Sequence, residues 1–82
     1  MKHELKTAPP FFQAVWIGDK PFEIRRNDRN FKERDEVVLQ EWDEESGGYT
    51  GREIEGFIRY LTTFGQTVGM CVFTLEITHR TE

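Results

Sequence analysis

Cysteine occurs once, at Cys71, so no disulfide can form within the chain and no zinc site can rest on cysteine pairs. Histidine occurs twice, at His3 and His79, too few and too dispersed to suggest a metal centre. Neither a metal nor a cofactor is expected. No apolar run exceeds four residues; Ala14 to Ile17 is one such run, far too short to cross a bilayer. The opening Met-Lys-His-Glu-Leu-Lys lacks the apolar core of a signal segment. Internal repeats, linkers and low-complexity stretches are absent as well. What remains is an 82-residue chain, expected to be one domain over 1–82, cytoplasmic, with a thin core and marginal stability. Aromatic residues make up 13%, so large side chains are expected to fill that core.

The net charge of −4 argues against a polyanionic partner only if it is evenly spread. It is not. Lys20, Arg25, Arg26, Arg29, Lys32 and Arg34 face only Glu23, Asp28 and Glu33 in the stretch 20–34, a local +3. The next stretch, 35–55, sets Asp35, Glu36, Glu41, Asp43, Glu44, Glu45, Glu53 and Glu55 against Arg52 alone, a local −7. An anion feels charge within about 8 Å at physiological salt, so local sign governs. The basic stretch is the expected contact surface, and the acidic one a solubilising or repelling surface.

Spacing predicts six elements. His3 to Lys6 suits a short first strand. Pro9 and Pro10 suit the first turn of a helix, and Phe11, Phe12, Val15 and Trp16 recur at helical spacing over Pro10 to Ile17. Gly18 fits the left-handed position after its end. Pro21 to Arg26 suits a strand with Phe22 and Ile24 on one face and Glu23 and Arg25 on the other. Asn27-Asp28-Arg29-Asn30 has turn chemistry. Glu36 to Trp42 suits a strand, and Asp43 to Gly51 a hairpin connection. Arg52 to Thr63 suits a long strand with Ile54, Ile58 and Tyr60 on one face and a bulge at Gly56. After a loop at 64–69, Met70 to Thr78 alternates, with Cys71, Phe73, Leu75 and Ile77 inward. One continuous core should hold Phe22, Ile24, Val37, Leu39, Ile54, Ile58, Phe73, Leu75 and Ile77. A single helix cannot cover both faces of five strands, so the sheet should curl into a small, mostly β barrel closed at one opening by the helix.

Chemistry is densest at Gly18 to Arg25, Gly-Asp-Lys-Pro-Phe-Glu-Ile-Arg, a G-x-K-x-x-E-x-R pattern. Glu23 and Arg25 project from one strand face, and Lys20 can fold over them from the preceding turn. A carboxylate flanked by two cations keeps its charge and is oriented by them. Such a trio can hold phosphate or carbonyl oxygen on its cations while the carboxylate accepts a donor edge. The same trio can do acid–base work, with Lys20 or Glu23 as base and Arg25 stabilising an anion. The plain alternative is a structural ion-pair cluster at the mouth of the barrel.

Gly18, Lys20, Glu23 and Arg25 match the signature of ASCH domains, members of the PUA-like superfamily. His3-Glu4-Leu5-Lys6, Phe12, Phe22-Glu23-Ile24-Arg25, Asn27-Asp28-Arg29 and Glu41-Trp42 resemble the small bacterial and phage branch of unknown function in that group. The resemblance covers nearly the whole chain. It implies a β-barrel-like fold with a cleft lined by the signature residues, where RNA or a modified nucleoside would bind. Two departures matter. Members that hydrolyse acylated cytidine carry a threonine nucleophile where this chain has Glu23, so their activity is not carried over. Relatives often have Gly-Asp before the strand at Glu36; here Arg34-Asp35 stands there, and Arg34 would be strained if the position needs positive φ.

The expected function is therefore binding of RNA or a nucleotide-derived ligand through Lys20, Glu23 and Arg25, with Arg26, Arg29, Lys6 and His3 as further ligand-binding candidates. Hydrolysis of RNA or a modified nucleoside through Lys20 and Glu23 is the alternative, and a protein-binding adaptor using the acidic hairpin a third. Arg26, Arg29, Lys32 and Arg34 can track a phosphate backbone or form a solvated loop. Phe12 and Trp16 can stack on a base, though their helical spacing favours core packing. Trp42 and Tyr49 suit a cross-strand pair. His3 would be a general acid beside Glu23 only if the first strand lies next to the second. Cys71 alternates with core residues and reads as packing.

Overall fold

Pro9 and Pro10 open the one helix, where their missing N–H groups would have had no intrahelical partner. In the computed structural model, which describes residues 1–82, the order is β1 (Lys2–Thr7), α1 (Pro9–Trp16), β2 (Phe22–Arg26), β3 (Glu36–Asp43), β4 (Gly48–Thr62) and β5 (Met70–Thr81). The strands form one sheet in the order β1-β3-β4-β5-β2, with β1 parallel to β3 and every other pair antiparallel. The sheet curls into a half-barrel, mostly β, with one short helix.

Curvature enters through β4. Its ladder with β5 slips between Glu55 and Gly56 and again between Ile58 and Tyr60. Bulges bend a strand and increase its twist. At Gly56 a Cβ would overlap the carbonyl oxygen of Glu76, so only glycine lets the two backbones approach there. The second slip also explains Tyr60. Period-two counting places it with Ile54 and Ile58, but past the bulge the phase changes and Tyr60 is exposed.

The core comprises Leu5, Phe12, Val15, Phe31, Val37, Leu39, Ile54, Ile58, Cys71, Phe73 and Leu75, with Trp16, Leu61 and Ile77 packed against it. Phe22 and Ile24 do not join it: they are 38% and 51% exposed, whereas Glu23 is only 2% exposed. The alternation of β2 is real but its faces are the reverse of the expected ones. β2 is an outer strand, and its inward positions lie at the open rim, where an ion pair rather than a hydrocarbon fills the space. Phe31 takes up the vacant core volume from the loop, where its N–H donates to Asn27 Oδ1 at 2.9 Å.

The other elements lie within a residue of their expected bounds; the larger shifts are in β4 and β5. β4 starts at Gly48 rather than Arg52, because Trp42 and Tyr49 pair across the hairpin with ring centroids 4.8 Å apart and near-perpendicular. β5 runs on to Thr81, where it still pairs with Glu53. Arg34 does adopt a left-handed backbone, φ +78°, and its N–H donates to the Ile58 carbonyl at 2.7 Å. That bond holds the strained residue in place.

Candidate functional site

β1 and β2 are the two outer strands, and no backbone ladder joins them. A side chain spans the seam instead. Arg25 donates through Nη1 to the Lys6 carbonyl at 3.1 Å and through Nη2 to Thr7 Oγ1 at 3.0 Å. Its Nε donates to Glu23 Oε1 at 2.9 Å. The other carboxylate oxygen, Oε2, accepts from Lys20 Nζ at 2.6 Å. Lys20 is delivered by the turn after α1: Gly18 takes φ +91°, and the Lys20 N–H donates back to the Ala14 carbonyl at 3.0 Å.

Glu23 sits opposite Phe73 in the β2–β5 register, so its carboxylate occupies a core-facing position. A charge so placed is tolerated only when paired and hydrogen-bonded. Both oxygens are. The two cations are each about a fifth exposed, at 21% and 22%, so they reach from the buried carboxylate to solvent.

A cleft of about 350 Å³ opens on the seam, lined by Lys6, Thr7, Ala8, Phe11, Lys20, Glu23, Ile24 and Arg25. Three cations against one carboxylate give this lining a net +2 in a chain of net −4. Phe11 forms an exposed aromatic wall, with Lys20 Nζ 5.8 Å from its ring centre. An adjoining groove of about 450 Å³ shares Lys6 and Arg25 and adds Glu4, Leu5, Arg26, Asp28, Arg29, Phe31 and Tyr49. Lys6 stands between the two, its Nζ 4.0 Å above the Trp42 ring, a cation–π contact that fixes it there. On the far side of Lys6 lies a depression bordered by Asp43, Glu44 and Glu45, whose charge repels anions from that side.

Lys20, Glu23, Arg25 and Lys6 therefore meet in one cleft, with Arg26 and Arg29 along its continuation. His3 does not belong to it. β1 neighbours β3, not β2, and the His3 ring is buried against Phe31 with Nε2 2.8 Å from Asp35 Oδ2. It cannot act beside Glu23. Its hydrogen bond, reinforced by the Lys32 N–H and the terminal amine, holds the Asp35 carboxyl below the usual carboxylate range against the opposing effect of desolvation. Lys32 and Arg34 line neither cavity. Phe12 is core, and Trp16 packs against it beneath the Arg52 guanidinium, 4.4 Å away. Burial pushes the Cys71 thiol up, which leaves it unreactive. No three His, Cys, Asp or Glu side chains converge as a metal ion would require. No helix is long and apolar enough to cross a membrane.

Phe11, Tyr49 and Thr7 are among the lining residues that the sequence did not mark as such. Phe11 and Phe12 are adjacent on a helix, so about 100° separates them and only one can face the core. That signal was legible. Tyr49 keeps its predicted pairing with Trp42 but also lines the groove. Thr7 carried no local signal; only the seam gives its hydroxyl a role.

Comparison with known proteins places this architecture in a family. The model described as "Domain of unknown function (DUF3850)" matches residues 2–75. The chain is also similar to a protein of Escherichia phage P2 named "Uncharacterized 12.9 kDa protein in GpA 3'region", 38% identical over 60 residues. That match covers 73% of this chain and 53% of the phage protein, so the chain spans about half the length of that relative. With the seam cleft inside a match that runs nearly end to end, the chain belongs to the DUF3850 family, a small domain shared with phage.

Proposed function

We propose that this chain is a PUA-like domain of the ASCH type that binds RNA or a nucleotide-derived ligand in the seam cleft. One observation carries the reading. Glu23 is saturated by Lys20 and Arg25 at the cleft floor, so the cations are held rigidly while Lys20 keeps two free N–H donors for a ligand. A preoriented cation pair beside an exposed aromatic ring suits a phosphate or carbonyl oxygen attached to a planar base. Arg26 and Arg29, with Tyr49 among them, extend the positive surface beyond Arg25 and supply a path for further phosphates. The match of Gly18, Lys20, Glu23 and Arg25 to the ASCH signature supports the same ligand class, and a cytoplasmic setting suits it.

Glu23 takes a different part from the one the motif suggested. Only 2% exposed, with both oxygens occupied, it orients Lys20 and Arg25 rather than reading a donor edge itself. The second reading is hydrolysis of RNA or a modified nucleoside through Lys20 and Glu23; because Lys20 donates to Glu23 at 2.6 Å, it would serve there as a proton donor rather than as the base.

Titration of the purified chain with fluorescent single-stranded RNA and with ribonucleoside monophosphates tests the binding reading. Binding should occur at low salt and weaken as salt rises. Absence of binding to every oligonucleotide and monophosphate at low salt refutes it. Turnover of an RNA or modified-nucleoside substrate that disappears in Lys20→Ala would establish the second reading in its place.

A further inference from the structure

The seam exposes main chain as well as side chains. On β2, the Pro21 carbonyl accepts from the Leu75 N–H at 3.2 Å and the Asn27 N–H donates to the Gly69 carbonyl at 2.8 Å. With Phe22 opposite Thr74 and Arg26 opposite Met70, the odd-numbered residues turn their peptide groups to β5. Ile24 therefore turns its N–H and C=O the other way, into the seam. On β1, the Glu36 N–H donates to the Met1 carbonyl at 2.9 Å, so odd-numbered residues face β3 and Lys6 faces the seam. The Lys6 carbonyl is taken by Arg25; the Ile24 pair has no partner strand.

The cleft lining independently places the opening at these edges. It touches Glu23 and Arg25, which point inward, and Ile24, which points outward. It also touches outward Lys6 and inward Thr7. A cavity that meets both faces of two strands lies along their edges.

We propose that the Ile24 main chain reads the hydrogen-bonding edge of a heterocyclic base whose ring lies against Phe11, with its phosphate on Lys20 and Arg25. The inference rests on the nucleotide-binding reading of the same cleft and names what recognises the base. An N–H beside a C=O complements the adjacent acceptor and donor that each Watson–Crick edge presents. An extended peptide could also pair with an open edge. Arg25 argues for the ring: its bridge to the Lys6 carbonyl and Thr7 closes the seam just beyond Ile24, leaving an opening of about 350 Å³. A peptide strand would have to break that bridge, whereas a single base does not.

The test uses the full chain, the four ribonucleoside 5′-monophosphates, each one's counterpart methylated on the Watson–Crick ring nitrogen (for adenine and cytosine, where methylation would add a positive charge, that nitrogen is replaced by C–H instead), and ribose 5-phosphate. At least one monophosphate should bind about tenfold tighter than its modified counterpart, the loss of roughly one hydrogen bond. Ile24→Pro removes an N–H that no ladder uses, a substitution an edge strand tolerates. It should weaken that nucleotide about tenfold more than it weakens ribose 5-phosphate. If modified and unmodified bases bind alike, or a folded Ile24→Pro binds nucleotide as the wild type does, the inference fails while nucleotide binding stands. If the wild type binds no monophosphate and no single-stranded RNA, both readings fail. Should Ile24→Pro not fold, the modified series on the wild type decides alone.

Discussion

Glu23→Gln separates a buried counter-ion from an ornamental surface pair. In the wild type the carboxylate is 2% exposed and contacts Lys20 at 2.6 Å and Arg25 at 2.8–2.9 Å. Glutamine keeps one oxygen for Arg25 but turns an N–H₂ donor toward the Lys20 ammonium, which has nothing to accept with. Lys20 must then leave for solvent. Breaking a buried pair costs about 3–5 kcal/mol, an exposed one about 0–1 kcal/mol. The two cations are about a fifth exposed and Arg25 keeps Lys6 and Thr7, so the cost lies below the buried range, at about 2 kcal/mol. For a domain of this size that lowers Tm by about 8–16 °C. Burial of the carboxylate is what makes stability respond to this substitution. Ligand choice should change too, since the cleft gains positive charge and its cations lose their fixed geometry: affinity for ribose 5-phosphate rises while discrimination among bases falls. Differential scanning fluorimetry at several salt concentrations measures the first effect, and titration calorimetry the second. A Tm within about 3 °C of the wild type would refute the buried counter-ion.

Arg29→Ala should weaken single-stranded RNA binding about equally for all sequences and reduce the salt slope by about one, measured by fluorescence anisotropy across a salt series. Asp35→Asn tests the second buried polar centre. A carboxyl whose folded pKa is depressed stabilises the fold fully above the ordinary value near ~4 and loses that stabilisation as pH falls through the folded pKa. The wild type should therefore be the more stable at neutral pH, and its advantage over Asp35→Asn should shrink below about pH 4 in urea melts. Arg34→Gly should relieve the φ +78° strain and stabilise by about 0.5 kcal/mol net of glycine's larger unfolded-state entropy, a Tm rise of a few degrees. A fall in Tm would show that the Arg34 side chain, 5.8 Å from the Phe57 ring, contributes more than its backbone costs.

Within the sequence, strong local patterns translated directly into elements. The Pro-Pro start and Gly18 stop bound α1, and period-two runs gave β3, β4 and β5. Gly56 marked the bulge site, whereas the left-handed backbone at Arg34 was suggested only by the glycine that similar proteins often carry there. The trio Lys20, Glu23 and Arg25 lies within six residues, so its contacts follow from one turn and one strand. His3 shows the opposite case. Its motif neighbours suggested a place beside Glu23, but its surroundings depend on which strand pairs with β1, and that contact joins residues 32 positions apart.

The amino-acid order by itself determined that β2 has two unlike faces and that its charges are close together. It did not determine which face is inside. Period-two alternation is unchanged when a strand is turned over, and the usual guide, that apolar residues go in, assumes a strand with neighbours on both sides. β2 has a neighbour on one side only. Tertiary structure decided the rest: the sheet curled through the two bulges of the β4–β5 ladder until β1 and β2 faced each other, and Arg25 met Lys6 and Thr7 from 19 and 18 residues away. At that rim a paired carboxylate satisfies more of the groups it is buried with than Phe22 or Ile24 could, because Lys20 and Arg25 are cationic donors that hydrocarbon cannot accept from.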